Sequence, residues 1–410
     1  MQTIIAPPYW EPLLKGYVKR TFFVGTRKHD FAQREEFTEG DFRFFASGVR
    51  KLTVAFTQER HSLPKNYFNQ KEYRSGYILY FLPVNALKVA ALLSETPRET
   101  WTKENESIKL HIMDVGSGPG TGMMGTFLHL EKILQGRQKA KLELMWTLID
   151  QNRDALNHAG DIHDLIVDHF RKTHPQWEIV SRVHKIVNNF FSGRLPHLSS
   201  QEPADLILML NTLNEISKER RLSVVENLLR HFLKPQGKVF LMEPALRMTT
   251  RDLMELRDQI LEKEVGFIYA PCLHQAGCPM LRVSHRDWCH AYIPWERPRW
   301  IEKLDHLIAT RKEYLKCSYL LIGLEPPSGK AKDVWRVVSG PLNSNGKSER
   351  LLCGPLGVEG DRPDLLRMTR LDRDRSSINH DFEELERGDL VETPKMERVG
   401  RETKIRRIKI

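Results

Sequence analysis

The sequence has few cysteines and no long apolar run. Its five cysteines are few for 410 residues, and all of them lie between residues 272 and 353, which excludes the dense disulfide framework of a small secreted domain. No segment approaches the ~18 uninterrupted apolar residues of a membrane span. The N-terminus, MQTIIAPPYW, lacks the basic stretch and apolar run of a signal peptide. We therefore expect a protein of a reducing compartment that makes no membrane contact.

The chain is also short of negative charge. Its 53 Asp and Glu residues face 63 Lys and Arg residues, which gives a formal net charge of +10. A basic protein is attracted to phosphate-rich surfaces, because each Lys or Arg contact releases condensed counterions. RNA is therefore a natural partner, although a basic pI can also serve solubility alone. The 40% of hydrophobic residues supplies enough apolar material for a core and argues against bulk disorder.

Helical periodicity marks the first hundred residues, and strands alternating with helices follow. Apolar residues recur at three- and four-residue spacing in GDFRFFASGVRKLTVAFTQERH and EYRSGYILYFLPVNALKVAALLSE, where Pro64 and Pro83 are interruptions. From Lys109, short apolar runs alternate with amphipathic stretches: IKLHIMDVG, LELMWTLID, EIVSRVHKIV, DLILMLNTL and GKVFLMEPA. This alternation predicts an α/β fold with a parallel, doubly wound sheet.

The later composition divides the chain further. An irregular stretch rich in Pro, Cys and His follows the fifth run, and the strand CSYLLIGLE then offers a return to the sheet. Beyond Pro326, short strands with Gly turns predict a small β module. We expect a helical region over 1–100, a Rossmann-like core over 101–265, a Cys-rich metal-binding insertion with the return to the sheet over 266–325, and a β-rich module with a basic tail over 326–410.

The most informative motif is HIMDVGSGPGTG, in which a strand ends in an acid and opens into a glycine-rich turn before a helix. Glycines allow positive φ and a close approach of the backbone to a ligand. A second strand ends in Asp150, where an acid commonly bonds ribose hydroxyls. An acid two residues before the first glycine resembles class I methyltransferases more than dinucleotide-binding proteins, so S-adenosylmethionine is the expected cofactor. A structural turn without a ligand is the alternative. The expected cofactor-binding residues are Asp114, Gly116, Gly118, Gly120, Asp150 and Asn211.

No catalytic group is evident. The fourth parallel strand places Asn211, Asn214 and Glu215 at the edge of the cleft. Neither the acid or amide followed by Pro-Pro and an aromatic, typical of amino-directed methyltransferases, nor the cysteine nucleophile of 5-methylcytosine enzymes appears here. Glu215 can equally be a helix-start carboxylate. Cofactor binding is thus better supported than methyl transfer, and we leave the catalytic residues unassigned.

Four cysteines form a candidate metal site. Cys272, Cys278 and Cys289 are separated by five and ten residues, and sixty-three residues separate Cys289 from Cys353. Four thiolates suit tetrahedral zinc or an iron–sulfur cluster. The spacing lacks the paired C-x-x-C of zinc ribbons and the close run of ferredoxins, so it does not decide between them.

Two readings compete with a four-cysteine site. His274 and His290 adjoin two of the cysteines, which keeps a mixed Cys/His zinc site open. Unrelated buried thiols are the other alternative, since free Cys is often a core residue. That reading suits Cys317, which begins a continuous apolar strand.

Taken in order, several segments resemble the mitochondrial small-ribosomal-subunit methyltransferase-like family, including its bacterial relatives. These segments span roughly residues 45 to 355 and are LTVAFTQERHSLPKNYF, GYILYFLPVNALKVAALL, DVGSGPGTG, DLILMLNTLNEI, PCLHQAGCP, DWCH, YLKCSYLLIG, WRVVSGPL and LLCGP. The first forty-odd residues and much of the tail after Gly360 have no counterpart, and Cys317 replaces the usual aromatic before SYL.

The resemblance implies a class I methyltransferase fold and a role in assembly or translation competence of the small ribosomal subunit. It further implies ribosomal RNA binding and a [4Fe-4S] cluster on Cys272, Cys278, Cys289 and Cys353, with zinc as the alternative. We expect a monomer. The absence of a readable presequence favours a bacterial cytoplasm over a mitochondrial matrix.

A metal on these cysteines would tie the insertion to the β module, and we expect it to shape an RNA-facing surface. Cations and stacking faces lie near the cysteines in sequence, although ordinary loop packing explains the same composition. They are Arg282, Arg286, Arg297, Arg299, Trp288, Trp295 and Trp300.

Overall fold

A computed structural model gives the fold of most of the chain. It describes residues 2–23, 36–57, 70–101, 107–190, 202–328, 334–354, 364–377, 379–392, 396–399 and 402–405. Pro64, which the sequence predicts to interrupt a helix, lies outside these residues.

A nine-stranded sheet forms the centre of the molecule, in the order β1-β8-β9-β6-β5-β2-β3-β4, with β7 also paired to β9. Its strands are β1 (Ile4–Ile5), β2 (Ser107–Val115), β3 (Ala140–Asp150), β4 (Trp177–Val187), β5 (Ala204–Leu210), β6 (Leu233–Pro244), β7 (Phe267–Ala270), β8 (Ala291–Glu296) and β9 (Tyr314–Gly323). The five runs predicted as strands are β2 to β6. The predicted α/β, Rossmann-like class is thus confirmed.

The sheet is mixed, which corrects the prediction of a parallel one. Strands β2 to β6 pair parallel, but β9 is antiparallel to β6 and to β8. The reason is the short return from β8, through one short helix, which reverses the chain and inserts β9 between β6 and β8. Such a reversed strand is absent from the purely parallel dinucleotide-binding order.

Helices cover both faces of the sheet. They are α1 (Trp10–Phe22), α2 (Glu39–Thr57), α3 (Lys71–Gly76), α4 (Leu82–Leu92), α5 (Thr121–Leu134), α6 (Arg153–Thr173), α7 (Lys218–Asn227), α8 (Arg247–Glu262), α9 (Pro279–Val283) and α10 (Arg299–Leu307). Alternate residues of β5 enter opposite cores: Leu206 and Leu208 pack with α4, α5 and α6, whereas Ile207 packs with α7 and α8. This period of two is what a strand buried on both faces requires.

The N-terminal helices share the core of the sheet. Trp10 and Leu14 of α1 are fully buried in the same cluster as β2 and α5. The Tyr17 hydroxyl lies 2.6 Å from Nδ1 of His158 on α6, and the indole of Trp300 donates to the carbonyl of Leu79 at 3.0 Å. The helical region is therefore built into the Rossmann-like core.

Pro83 does not break its helix. A π-helical turn, Tyr77–Phe81, joins α3 to α4, and Pro83 stands at the start of α4, where its missing N–H costs no bond because the hydrogen-bond pattern changes there. Of the described helices, the segment Lys71–Glu95 alone is long and apolar enough to cross a membrane, and 72% of its most apolar stretch is buried inside the protein. A core helix passes the same test.

The edge strand beside β9 is interrupted. Strand β7 pairs with β9 as far as Ala270 opposite Leu321, and β8 resumes with Ala291 opposite Cys317. Residues 271–290 leave the sheet between these two points and carry three of the five cysteines. We call this segment the cysteine excursion; it contains α9.

A second, seven-stranded sheet forms the C-terminal β module, in the order β14-β10-β12-β13-β16-β15, with β11 paired to β12. Its strands are β10 (Val334–Val337), β11 (Leu342–Ser344), β12 (Lys347–Gly354), β13 (Asp364–Leu371), β14 (Leu390–Glu392), β15 (Met396–Val399) and β16 (Glu402–Ile405). Trp335, Leu352 and Phe382 belong to its small core. The guanidinium of Arg336 joins the module to the N-terminal helices through Glu95, at 2.8 and 3.1 Å.

Candidate functional site

Asp114 stands at the carboxyl end of β2 and is completely buried. Neither of its oxygens has a hydrogen-bond partner among the described residues. Burial, with the nearby Asp150 as a smaller cause, raises the pKa of Asp114 to about 8. A buried carboxyl without partners is costly in its charged form, so this acid is prepared for a proton or for a ligand that supplies donors.

The glycine turn leads from β2 into α5, and its glycines serve two purposes. Gly116 has φ +73°, and a Cβ there would lie 2.2 Å from the Thr212 side chain, so glycine is needed for packing against the segment after β5. At Gly118, with φ +52°, an added Cβ would meet nothing within 4 Å. Gly120, with φ +91°, directly precedes α5. Only Gly118 borders the open space in which a ligand would lie against the backbone.

Asp150 closes the turn from the neighbouring strand. Its Oδ2 accepts a hydrogen bond from the backbone N–H of Gly118 at 2.9 Å, and its Oδ1 accepts one from the N–H of Asn152 at 2.8 Å. Burial raises the pKa of Asp150, and the backbone donors oppose that shift. The acid expected to bind a ribose is thus held at the glycine turn.

The next two strands supply the third wall of the cleft. Asn211 follows β5 with φ +58°, a left-handed conformation that non-glycine residues seldom adopt. The Asn214 amide donates to Glu243 at 2.7 Å, and the Leu213 N–H donates to the same carboxylate at 2.8 Å. Glu243, near the end of β6, is 2% exposed, while Glu215 lies exposed in a 3₁₀ turn. Asn214, Glu243 and Glu215 therefore lie together at the carboxyl edge of β5 and β6.

Tyr77 reaches this edge from the π-helical turn. Its phenol interacts electrostatically with Asp150, Asp114 and Glu215, and its hydroxyl lies near the side chain of Thr121, whose Oγ1 has no hydrogen-bond partner among the described residues. Burial, together with those carboxylates, raises the pKa of Tyr77 to about 12. A neutral phenol thus stands near this group of acids. Sequence reasoning missed both Tyr77 and Glu243, because each stands inside an apolar run.

Unpartnered oxygens gather around the glycine turn. Besides the two of Asp114, the hydroxyls of Ser117, Thr121 and Thr212 are buried and have no hydrogen-bond partner within the described part of the chain. Buried polar groups in proteins are nearly always paired. Their concentration at one turn is the arrangement expected of a cleft that binds a polar ligand.

The four cysteines expected to bind metal come from the cysteine excursion and from β12. Cys278, Cys289 and Cys353 pack against one small apolar cluster with Met254, Met280 and Val338. Cys272 interacts electrostatically with each of those three thiols. The fold therefore brings three of the four to one cluster, while Cys272 packs against the neighbouring core cluster and Cys317 is separately buried in β9. Even so, no three His, Cys, Asp or Glu side chains in the described ranges are close enough to hold a metal ion.

The environment of these thiols is apolar and ringed by cations. Burial raises the pKa of Cys278 to about 11 and that of Cys289 to about 12. Arg257 lies near Cys272 and Cys278 and donates to the carbonyl of His274 at 3.0 Å. Nε2 of that histidine lies 3.8 Å from the sulfur of Cys353, so the mixed Cys/His reading keeps a nearby ligand.

The structure divides the Arg and Trp residues expected on an RNA-facing surface. Trp295 and Trp300 are core residues, 9% and 5% exposed, and Arg297 lies 3.6 Å from the buried Asp305. The two indole rings are buried among apolar side chains, so they do not present a face on which an RNA base could stack. Arg282 and Arg286 are exposed. The prediction was therefore wrong for two of the three tryptophans.

Solved structures similar to this chain include three methyltransferases. A protein from Listeria monocytogenes described as a class I S-adenosylmethionine-dependent methyltransferase shares 14% identity with this chain. The match covers 79% of this chain and 92% of that one, with a TM-score of 0.39. Magnesium protoporphyrin IX methyltransferase from Synechocystis, with S-adenosylmethionine bound, shares 12% identity over 68% of this chain and 97% of that one, with a TM-score of 0.31. A ribosomal protein L11 methylase from Lactobacillus delbrueckii shares 14% identity over 58% and 79%, with a TM-score of 0.27. These scores are too low to establish a shared function.

Comparison of sequences gives a more specific result. No curated protein matches the chain. A family model described as mitochondrial small ribosomal subunit Rsm22 matches residues 77–358, which is well over half of the 410 residues. The matched range contains the glycine turn, the cysteine excursion and Cys353. This chain belongs to the Rsm22 family of the mitochondrial small ribosomal subunit.

Proposed function

We propose that this protein binds S-adenosylmethionine and acts with the small ribosomal subunit, in its assembly or translation competence, by contacting its ribosomal RNA. The observation that carries the cofactor proposal is the glycine turn, where Asp150 accepts a hydrogen bond from the N–H of Gly118 beside five oxygens without a hydrogen-bond partner among the described residues. Membership of the Rsm22 family supports the ribosomal role.

The cleft suits the chemistry of this cofactor. Asp150 at the end of β3 is placed to accept hydrogen bonds from ribose hydroxyls. The unpartnered oxygens of Asp114 are suited to the ammonium group of the amino-acid moiety, because a cation relieves the cost of ionising a buried acid. The open space at Gly118 leaves room for the ligand against the backbone.

Isothermal titration calorimetry with S-adenosylmethionine tests this site. Asp150→Ala removes a charged acceptor, and such bonds are worth ~1.5–3 kcal/mol, so we expect binding to weaken ~10- to 100-fold. Asp168→Ala is the matched control, because Asp168 is an exposed acid on α6. Equal affinity in both variants would contradict the assigned role of Asp150.

Methyl transfer to ribosomal RNA or protein is the second candidate function. The polar pair Asn214–Glu243 at the carboxyl edge favours it, because these groups can orient a methyl acceptor. A radiolabelled methyl assay on small-subunit particles separates the two functions. Label incorporated by the wild type and lost in Asp114→Ala indicates an enzyme, whereas cofactor binding without label indicates a cofactor-bound assembly factor.

For the metal site, we propose a [4Fe-4S] cluster on Cys272, Cys278, Cys289 and Cys353. The chemistry of the donors supports this, since Cys278, Cys289 and Cys353 pack against one apolar cluster and Cys272 interacts electrostatically with each of them. When bound, the group supplies a rigid crosslink with redox chemistry. Held by one such group, Cys272, Cys278 and Cys289 of the excursion and Cys353 of β12 would fix together two segments far apart in sequence.

Anaerobic purification tests the metal proposal through iron, sulfide and zinc analysis. Cys353→Ser should lose the metal, while Cys317→Ser, a change of the same type at a buried thiol of β9, should retain it. Stoichiometric zinc without iron would favour the zinc alternative. Absence of both metals would contradict the site.

The proposed RNA-binding face lies where the excursion meets α8. Arg251 donates to the carbonyls of Ser284 and Asp287 at 2.9 and 2.7 Å, which fixes the outer loop of the excursion beside the start of α8. Arg247, Arg282 and Arg286 are exposed around this junction. Met248 and Val283 are also exposed there, at 74% and 57%. Cations interleaved with apolar side chains suit a phosphate backbone with unstacked bases.

Charge reversal tests this face. Arg247→Glu combined with Arg286→Glu should weaken binding to purified small-subunit ribosomal RNA and reduce the slope of log affinity against log salt by about two. Arg311→Glu combined with Arg373→Glu makes the same net charge change at exposed arginines elsewhere. If both double variants lose affinity equally, the binding is a property of net charge and this face has no special role.

A further inference from the structure

Four partly exposed rings form a continuous row where the chain re-enters the sheet at β8 and β9. The Trp288 and His290 rings lie 5.6 Å apart, centre to centre, with 21° between their planes. The His290 and Tyr292 rings lie 5.2 Å apart at 50°, and the Tyr292 and Tyr314 rings lie 5.3 Å apart at 31°. We call these four residues the aromatic row.

The alternation of side chains along two paired strands places the row on one face of the sheet. Ile293 of β8 is buried in the core that the N-terminal helices share, so Tyr292 and Pro294 project from the opposite face. Pro294 is paired with Tyr314 of β9, and cross-strand partners project from the same face. The row therefore lies on the side of the sheet that is turned away from the N-terminal helices.

The rings cover one another only in part. Carbon atoms in optimal contact are ~3.5–4.0 Å apart, whereas the ring centres of the row are 5.2 to 5.6 Å apart. Neighbouring rings are therefore displaced sideways or tilted, and each leaves some of its surface open. Offset and tilted arrangements of this kind are the ones that aromatic groups prefer, so a further planar group can join the row.

Two cations lie beside the middle of the row. The Nζ of Lys316, an exposed residue of β9, lies 4.2 Å from the centre of the Tyr292 ring. The guanidinium of Arg387 lies 4.9 Å from the centre of the same ring, and its Nε and Nη1 have no hydrogen-bond partner within the described ranges. Unused cationic donors beside aromatic rings favour a ligand that carries both negative charge and planar groups.

One end of the row joins the proposed RNA-binding face. The indole of Trp288 donates to the carbonyl of Ala245 at 3.1 Å, two residues before the exposed Arg247. Asp287, the acid that precedes Trp288, accepts a hydrogen bond from the hydroxyl of Ser284 at 2.7 Å. A strand whose phosphates contact the arginines of that face can therefore continue onto the rings.

We propose that the aromatic row binds unpaired nucleotides of RNA, with bases stacked on its rings and with phosphates contacted by Lys316 and Arg387. This inference rests on the proposed contact with ribosomal RNA, and it names the form of RNA that is bound. The bases of a duplex are already stacked and paired, so their faces are closed to a side chain. An unpaired base presents its face to aromatic rings, and stacking of this kind tolerates any base.

Fluorescence anisotropy with the full-length protein tests the row. The probes are a labelled RNA strand of about 12 nucleotides and the duplex that it forms with its complement. We expect the wild type to bind the strand ~10-fold more tightly than the duplex. Tyr314→Leu removes the ring at the end of the row but keeps an apolar side chain, and it should weaken binding of the strand ~10-fold. Tyr314→Phe keeps the ring and should bind like the wild type.

Salt dependence separates stacking from phosphate contact. Lys316→Gln should reduce the slope of log affinity against log salt by ~0.7, the value for one phosphate contact on a single strand. Tyr314→Leu changes no charge and should leave that slope as it is in the wild type. The matched control is Tyr73→Leu, because Tyr73 is a partly exposed residue of α3 with the Nζ of Lys51 5.7 Å from its ring centre.

Two results would overturn the row while the proposed contact with RNA stands. One is equal binding of strand and duplex by the wild type, and the other is an equal loss of strand affinity in Tyr73→Leu and Tyr314→Leu. If the wild type binds neither probe, the row is also overturned, and binding to purified ribosomal RNA then shows whether the proposed RNA contact fails with it.

Discussion

The cofactor cleft and the cysteine site are built in different ways. The cleft arises where the carboxyl ends of adjacent strands meet, so Asp114, Asp150 and Asn211 come together through the pairing of β2 with β3 and β5. The cysteine site gathers an excursion from an edge strand and a strand of a second sheet. Backbone hydrogen bonds fix the first site, whereas the second depends on how two modules pack.

This difference predicts different responses to a ligand. In the cleft, the N–H groups of Gly118 and Asn152 already hold Asp150, so the framework stands without a cofactor. At the cysteine site, raised thiol pKa values show that the protein alone does not stabilise the thiolates a metal needs. The first site is prepared by the fold, and the proposed metal would complete the second.

The largest effect should come from the backbone of the cleft. Gly116→Ala places a Cβ 2.2 Å from Thr212 at a positive φ, and we expect a loss of ~3 kcal/mol or more in the free energy of unfolding. Gly118→Ala, which meets no atom within 4 Å, should cost ~1–2 kcal/mol through its left-handed conformation alone. Urea denaturation measures both. Equal losses would show that Thr212 does not constrain the turn.

Metal removal sharpens the comparison at the other site. We expect the loaded and metal-free proteins to differ in amide hydrogen exchange at 271–290 and at 347–354, with protection raised ~10- to 100-fold by metal. Exchange in β2 and β3 should be the same in both forms. Protection spread evenly over both sheets would instead mean that the metal stabilises the whole fold.

A smaller effect concerns the charge of Asp114. Its pKa is raised from 3.8 to about 8 in the folded protein, so the folded state binds the proton more tightly than the unfolded chain between those values. Stability must therefore fall as pH rises from about 4 to about 8 and level off above. Asp114→Asn cannot ionise, and without cofactor it should be ~1–3 kcal/mol more stable than wild type at pH 8. The two proteins should converge at pH 4 in denaturant titrations.

The smallest expected effect is that of Tyr77→Phe on cofactor affinity. The change removes one hydroxyl beside Thr121 and three acids and leaves the ring in place. We expect S-adenosylmethionine to bind about three- to tenfold more weakly, as one neutral hydrogen bond is worth ~1 kcal/mol. Tyr73→Phe on α3 is the control. Unchanged calorimetric affinity would place Tyr77 outside the cleft's binding function.

The sequence predicted the parts of the fold that depend on local pattern. Alternating apolar runs predicted β2 to β6, and the acid–glycine motif predicted the turn between β2 and α5. Both follow from short-range physics, namely the period of two in strands and the conformational freedom of glycine. The packing of α1 against α6 was not predicted, because a local sequence pattern contains no information about the contact between Tyr17 and His158, which are 141 residues apart.

Residues that act across long separations were missed for the same reason. Tyr77 reads as one more apolar residue of a helix, and Glu243 as an acid at the end of a strand. The antiparallel direction of β9 depends on a return path that local propensity does not encode. Trp295 and Trp300 were misplaced, since an aromatic beside arginines looks the same in a core and on a surface.

The interruption between β7 and β8 has an evolutionary consequence. Strands β7 and β8 pair with the same side of β9, and β7 ends opposite Leu321 only four residues from Cys317, where β8 begins. A short turn in place of residues 271–290 would therefore leave the order of the sheet intact. The cysteine excursion can therefore be gained or lost in evolution without a change in the order of the strands, whereas the cleft cannot be lost without altering the sheet.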